Sequence, residues 1–226
     1  MRVINLTRLL PLAAVAVLPG AAFAQGWIKY VNETERFIVN FPGEPQAQEI
    51  SYAAESGLMM PARVYSVEDA DTRYAVTVID YTSADELHAA NCRTLTYECD
   101  GREASSDIRG AIAWEAWNIR RRGSGEITYD AFGTVDGIPG HQLQIAHPNG
   151  SLSFIGLYMH ARRLYLLEGT APGHYPPPAL FQQSLGILDG DGRRVRFEWD
   201  ADGNRTRIDV SYEWVGVEDP VTGEPQ

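Results

Sequence analysis

Apolar residues recur along this chain at two spacings, and the change from one to the other sets out its elements. Phe37-Ile38-Val39-Asn40-Phe41 alternates as a strand and stops at Pro42-Gly43, which cannot continue a ladder. An extended segment from Ala62 to Val67 and a β-rich run from Tyr74 to Tyr81 read as a hairpin turning at Asp69 to Thr72. In that run Val76 and Val78 share one face and Thr77 and Ile79 the other. The spacing then becomes helical. Ser83 stands three residues before Glu86, a capping-box pattern that predicts a short helix running into a cysteine-bearing insertion near residues 84–104. A longer helix is predicted from Ser105 or Ser106, with Asp107 at its positive end and Arg120, Arg121 and Arg122 at its negative end. Ile108, Ala111, Ile112, Trp114, Trp117 and Ile119 form its apolar stripe, and Gly123 and Gly125 end it.

From Glu126 the period returns to two. Runs 127–134, 141–146, 152–160 and 163–168 predict four strands separated by Asp136-Gly137, Pro148-Asn149-Gly150 and a tight Ala161-Arg162 corner, an antiparallel meander. Pro176-Pro177-Pro178 leads into a short helix over 179–185, since proline in a first turn sacrifices no helical hydrogen bond. Strands over 193–199 and 206–214 flank Asp200-Ala201-Asp202-Gly203-Asn204 as a C-terminal β-hairpin extension, and residues 217–226 read as an acidic flexible tail. The predicted fold class is α+β: a single domain over residues 25–190, an antiparallel β-sheet meander packed with a few helices, followed by the hairpin over 191–216.

The chain has 226 residues, 44% of them hydrophobic, enough to bury a core. Its first 24 residues have a start containing Arg2 and Arg8, an apolar run from Leu9 to Leu18 and a small-residue end, Ala22-Phe23-Ala24. That is the pattern of a cleavable signal peptide, with cleavage between Ala24 and Gln25 and an address in the bacterial periplasm or outside the cell. Pro11, Pro19 and Gly20 and the shortness of the run argue against a spanning helix, so the mature chain is expected not to cross a membrane. Loss of Arg2 and Arg8 with this leader takes the formal charge from −11 to −13, a sign that repels phosphate backbones and disfavours nucleic acid. Cys92 and Cys99 are the only cysteines. In an oxidising compartment the pair is expected to form a local disulfide; zinc lacks two further ligands nearby, and a redox pair usually has C-x-x-C spacing.

Several of these residues, taken in order, resemble a known family. They are Trp27 and Tyr30; Phe37-Ile38-Val39-Asn40-Phe41-Pro42-Gly43-Glu44-Pro45; Tyr74-Ala75-Val76; Asp80-Tyr81; and Gly137-Ile138-Pro139-Gly140 before a strand. Arg163-Leu164-Tyr165-Leu166-Leu167 and Phe181-Gln182-Gln183-Ser184-Leu185 follow where that family has a late strand and a final helix. The pattern, over residues 27–188, is similar to the PsbP-like family, exported bacterial proteins resembling the extrinsic protein PsbP of photosystem II. The resemblance implies an antiparallel sheet between helices and a binding or assembly role, and it carries no catalytic residue to transfer. The insertion near 84–104 and the hairpin after 190 depart from it.

Nor do the residues themselves announce a catalytic site. There is no G-x-S-x-G and no H-E-x-x-H, and His88, His141, His147, His160 and His174 are scattered. The Asp200 loop has oxygen ligands at alternate positions, but its glycine falls fourth and Arg205 and Arg207 intrude, so it reads as a turn rather than a calcium loop, as does Asp189-Gly190-Asp191-Gly192. Trp114 and Trp117 read as core anchors before they read as a stacking surface, and Arg120–Arg122 as a helix terminus before an anion site. No catalytic, cofactor or metal residue is assigned. The expected function is a non-enzymatic binding or assembly domain acting on a protein partner or envelope component. The alternative is a periplasmic hydrolase or small-ligand-binding enzyme whose site is assembled from distant residues.

Overall fold

The computed structural model describes residues 26–93, 108–123 and 125–208. β1 (Ile28–Asn32) and β2 (Phe37–Phe41) form a first hairpin, and β3 (Gln46–Ala53), β4 (Met59–Asp69) and β5 (Thr72–Asp80) an antiparallel meander. Helices α1 (Ala84–Cys92) and α2 (Ile108–Arg122) follow. A second meander, β6 (Glu126–Val135), β7 (Ile138–Ala146), β8 (Ser151–His160) and β9 (Arg163–Pro172), returns through β9 to pair with β5. The result is one seven-stranded antiparallel sheet, order β3-β4-β5-β9-β8-β7-β6. Helix α3 (Ala179–Gln183) and β10 (Gly186–Ile187), which joins β1 and β2 in a small sheet, precede the hairpin of β11 (Phe197–Trp199) and β12 (Arg205–Arg207). Among the described residues no helix is long and apolar enough to cross a membrane.

The large sheet is covered on both faces, and its central strands show why their sequences are so apolar. Ile79, Ile155, Leu157, Leu164 and Leu166 pack with Ala111, Ile112 and Ile119 of α2 in one core. Val76, Val78, Tyr158, Tyr165 and Leu167 pack with Phe37, Phe41 and Phe181 in the other. Consecutive residues thus enter different cores, so β5, β8 and β9 lose the polar half of the alternation that a one-sided sheet would keep. Two turns follow the pattern read from the sequence: Asp136-Gly137 (φ +50° and +73°) and Ala161-Arg162 (φ +46° and +62°) are left-handed pairs whose twist suits a two-residue hairpin. At Gly137 a Cβ would stand 2.2 Å from the Phe197 carbonyl oxygen, so only glycine lets the C-terminal segment pass.

Some elements differ from the sequence reading. β1 and β3 were not predicted; β3 is exposed at every position except Tyr52 and has no apolar alternation to betray it. Ser83 precedes α1, but its side chain makes no capping hydrogen bond. The last helix stops at Gln183, because Gly186 and Ile187 leave it to pair with β2. In α2 the buried positions are Ala111, Ile112, Glu115, Ala116 and Ile119, while Trp117 is 42% exposed and Trp114 half-buried, contrary to their reading as core anchors. Alanines at 111 and 116 let the helix lie close to the sheet, and the indoles turn outward and stack at 5.1 Å. The C-terminal segment is pinned to the fold: Val195 is buried, and Arg194 Nε (2.5 Å) and Arg196 Nε (3.0 Å) donate to the buried Asp136 carboxylate in the β6–β7 turn. The signal-peptide residues, Ala24 and Gln25 included, lie outside the described residues, as do Cys99, residues 94–107 and the chain from 209.

Candidate interaction site

The feature least explained by folding is the outer edge of β6, with which no described strand pairs. The strand runs Glu-Ile-Thr-Tyr-Asp-Ala-Phe-Gly-Thr-Val, and three large side chains stand in solvent: Phe132 at 86% exposure, Tyr129 at 43% and Ile127 at 37%. Its register on β7 shifts between Ile127 and Tyr129, a bulge at Thr128, and is regular from Tyr129 to Val135. Phe132 lies opposite His141 and Asp130 opposite Leu143, whose side chain belongs to the core beneath α2.

Asp130 does not leave this strand negatively charged. Arg120 donates through Nε to Oδ2 (2.7 Å) and through a terminal nitrogen to Oδ1 (2.8 Å), and His141 Nε2 lies 2.5 Å from Oδ1. The Arg120 bonds, helped by His141, hold the carboxyl down at about 2. The Phe132 ring meets the His141 ring edge-on, 5.2 Å between centres. The arginines predicted only to finish a helix therefore have particular partners. Arg120 ties α2 to β6, Arg121 lies 4.4 Å over the Trp117 ring, and Arg122 binds Glu115. Glu115, 1% exposed, also accepts from Tyr52 Oη at 2.9 Å. Burial and that carboxylate push the Tyr52 phenol upward, so it stays a neutral donor.

One constellation resembles hydrolytic chemistry, and it leaves no local motif because its members are on different strands and a turn. Ser153 Oγ of β8 lies 2.7 Å from His147 Nε2 and 2.7 Å from Thr170 Oγ1 of β9, at an open hollow of about 390 Å³ that Glu168 also lines. A serine nucleophile needs an accessible hydroxyl and a base oriented by a third group. Ser153 is 2% exposed, and among the described residues no carboxylate bonds His147. The three side chains satisfy one another's polar atoms on the stretch of sheet beyond α2.

The remaining candidates are dispersed. Cys92 ends α1 with its Sγ 3.5 Å from His88 Nε2. His160, beside Phe197, has its pKa lowered from 6.5 by burial and then by Arg205, Arg207 and Arg36. Asp200 accepts the backbone N–H groups of Asp202 and Asn204 and the Asn204 amide, as a hairpin turn requires. Asp189 is held at about 2, chiefly by Arg207. These bonds turn both acidic loops inward on their own backbone and arginines.

Neither a family model nor a curated protein matches the sequence. Among solved structures the chain is similar to that of cyanobacterial PsbP (CyanoP) from Synechocystis sp. PCC 6803: 11% identity and a TM-score of 0.43, covering 76% of this chain and 99% of that one. At this identity the likeness transfers no functional residue.

Proposed function

We propose that this is an exported, non-enzymatic binding or assembly domain that acts by taking a strand of a protein partner in the cell envelope onto β6. The observation that carries the reading is the 86% exposure of Phe132 on an open edge strand, flanked by exposed Tyr129. An edge strand offers a row of backbone donors and acceptors, and native sheets ordinarily blunt such edges with charge, proline or cover. Here the one acidic group in the regular stretch is paired with Arg120 and His141, so an arriving strand meets Phe132 and Tyr129 beside backbone groups that no described strand pairs. The export signal and the envelope address belong to the same proposal, and so does a Cys92–Cys99 bridge, which the compartment would favour.

Photo-crosslinking in the native envelope tests this. A photoreactive residue at position 132 is expected to give a protein adduct that the same probe at Gln48 on β3 does not. Adducts at both positions, or at neither, would contradict the assignment of β6. The enzymatic alternative would have to work through Ser153. It predicts turnover of an ester substrate that Ser153→Ala abolishes in a variant that remains folded.

A further inference from the structure

The geometry points to a second copy of this chain as the partner of β6, joined by antiparallel β6–β6 pairing about a two-fold axis at Phe132. This rests on the reading of β6 as the docking edge and names what docks there. The two edges of the sheet are unlike: β3 exposes small and polar side chains apart from Ile50 and carries a Glu49–Arg63 ion pair, whereas β6 exposes Phe132, Tyr129 and Ile127. Joining β3 of one copy to β6 of the next would leave an apolar edge exposed at the end of every assembly and would propagate without limit. Joining β6 to β6 covers both apolar edges at once and closes, with only polar β3 edges facing outward.

The register follows from the strand itself. The bulge at Thr128 disrupts the ladder before Tyr129, so regular pairing is available over Tyr129–Val135, whose midpoint is Phe132. A two-fold axis normal to the sheet keeps each side chain on its own face, which requires paired positions of equal parity, and a centre at 132 meets that requirement. Phe132 then faces Phe132 of the other copy, Tyr129 faces Val135, and Ala131 faces Gly133. Asp130 faces Thr134, so no like charges stand opposite each other. The only other acid of the strand, Glu126, lies beyond the bulge and at opposite ends of the two copies. Each Phe132 is backed by the His141 ring of its own chain, so the aromatic pair is supported from beneath.

The test uses the full mature chain. Sedimentation velocity across a concentration series is expected to show a monomer–dimer equilibrium, weakened at least tenfold by Phe132→Lys and by Phe132→Ser. Because Phe132 is so exposed, neither change should alter the unfolding midpoint measured at a concentration where the wild type is monomeric. Under mild oxidation Phe132→Cys should form a 132–132 disulfide, identified by peptide mapping, at least ten times faster than Thr134→Cys forms a 134–134 bridge. In the proposed register the two 134 positions are about 13 Å apart along the strands. Comparable rates would overturn the register. A chain that stays monomeric throughout, or a dimer indifferent to both Phe132 variants, would overturn the second copy as partner. In that event a crosslinked adduct at position 132 containing a different protein would leave the reading of β6 standing, while no adduct there would remove both.

Discussion

The same sheet ends in two different ways. On β3 seven of eight side chains are exposed, and apart from Ile50 the exposed ones are small or polar; Arg63 of β4 reaches Glu49 at 2.6 Å and Glu35 of the β1–β2 hairpin at 2.8 Å. On β6 the exposed residues include a phenylalanine, a tyrosine and an isoleucine, and the arginine nearby is spent on neutralising the strand's own aspartate. One edge is closed to a partner by charge, and in the regular stretch of the other the one acid is paired and the large apolar side chains stay exposed. Folding explains neither Phe132 nor Tyr129, since both cores are complete without them.

The largest effect that separates the two edges should come from the groups that anchor them. Asp136→Ala at the end of β6 leaves Arg194 and Arg196 without their buried carboxylate, at a cost of about 3 kcal/mol in urea unfolding, whereas Glu49→Ala at the exposed edge should cost less than about 0.5 kcal/mol. Equal losses would mean that β6 is no better anchored than β3. Next in size, Phe132→Lys should weaken association at least tenfold, about 1.4 kcal/mol, while Ile50→Lys leaves it unchanged. A comparable loss from Ile50→Lys would erase the distinction between the edges.

Acid should weaken the tie that holds β6 to α2. Arg120 holds the Asp130 carboxyl at about 2, well below its ordinary value near 4, so the tie between α2 and β6 is fully present above about pH 4. It weakens as pH falls toward 2, and an Asp130→Asn variant should lack that part of the acid response in thermal melts. The smallest effect should come from His160. Its pKa is lowered from 6.5, so the unfolded chain takes up a proton more readily than the fold, and stability should decline as pH drops below 6.5. His160→Gln should flatten that decline between pH 7 and 5 without changing association. An unchanged slope would mean His160 does not titrate differently in the folded chain.

What the sequence disclosed follows from how each part is stabilised. Strands β5, β8 and β9 and the two left-handed turns were legible because burial and backbone sterics restrict which residues can stand there. β3 was invisible, since a strand exposed on both faces is held by its ladder alone and needs no apolar alternation. The orientation of α2 was misread because Glu115 is buried where periodicity would place a polar face; its partners Tyr52 and Arg122 are set by tertiary position. Phe132 fitted the alternation of a strand in the meander. Nothing local says that this strand is the last of its sheet, which depends on β9 returning to β5 and not to β6. The Ser153–His147–Thr170 cluster is likewise a product of register between strands.

Amide hydrogen exchange, followed strand by strand as protein concentration rises, separates the two edges directly. In an edge strand alternate amides point outward and exchange freely until another strand covers them. Alternate amides within Tyr129–Val135 are expected to gain protection with concentration, while those of Gln46–Ala53 do not change. Protection that appears in β3 instead, or a β6 whose outward amides exchange at the same rate at every concentration, would contradict pairing through β6.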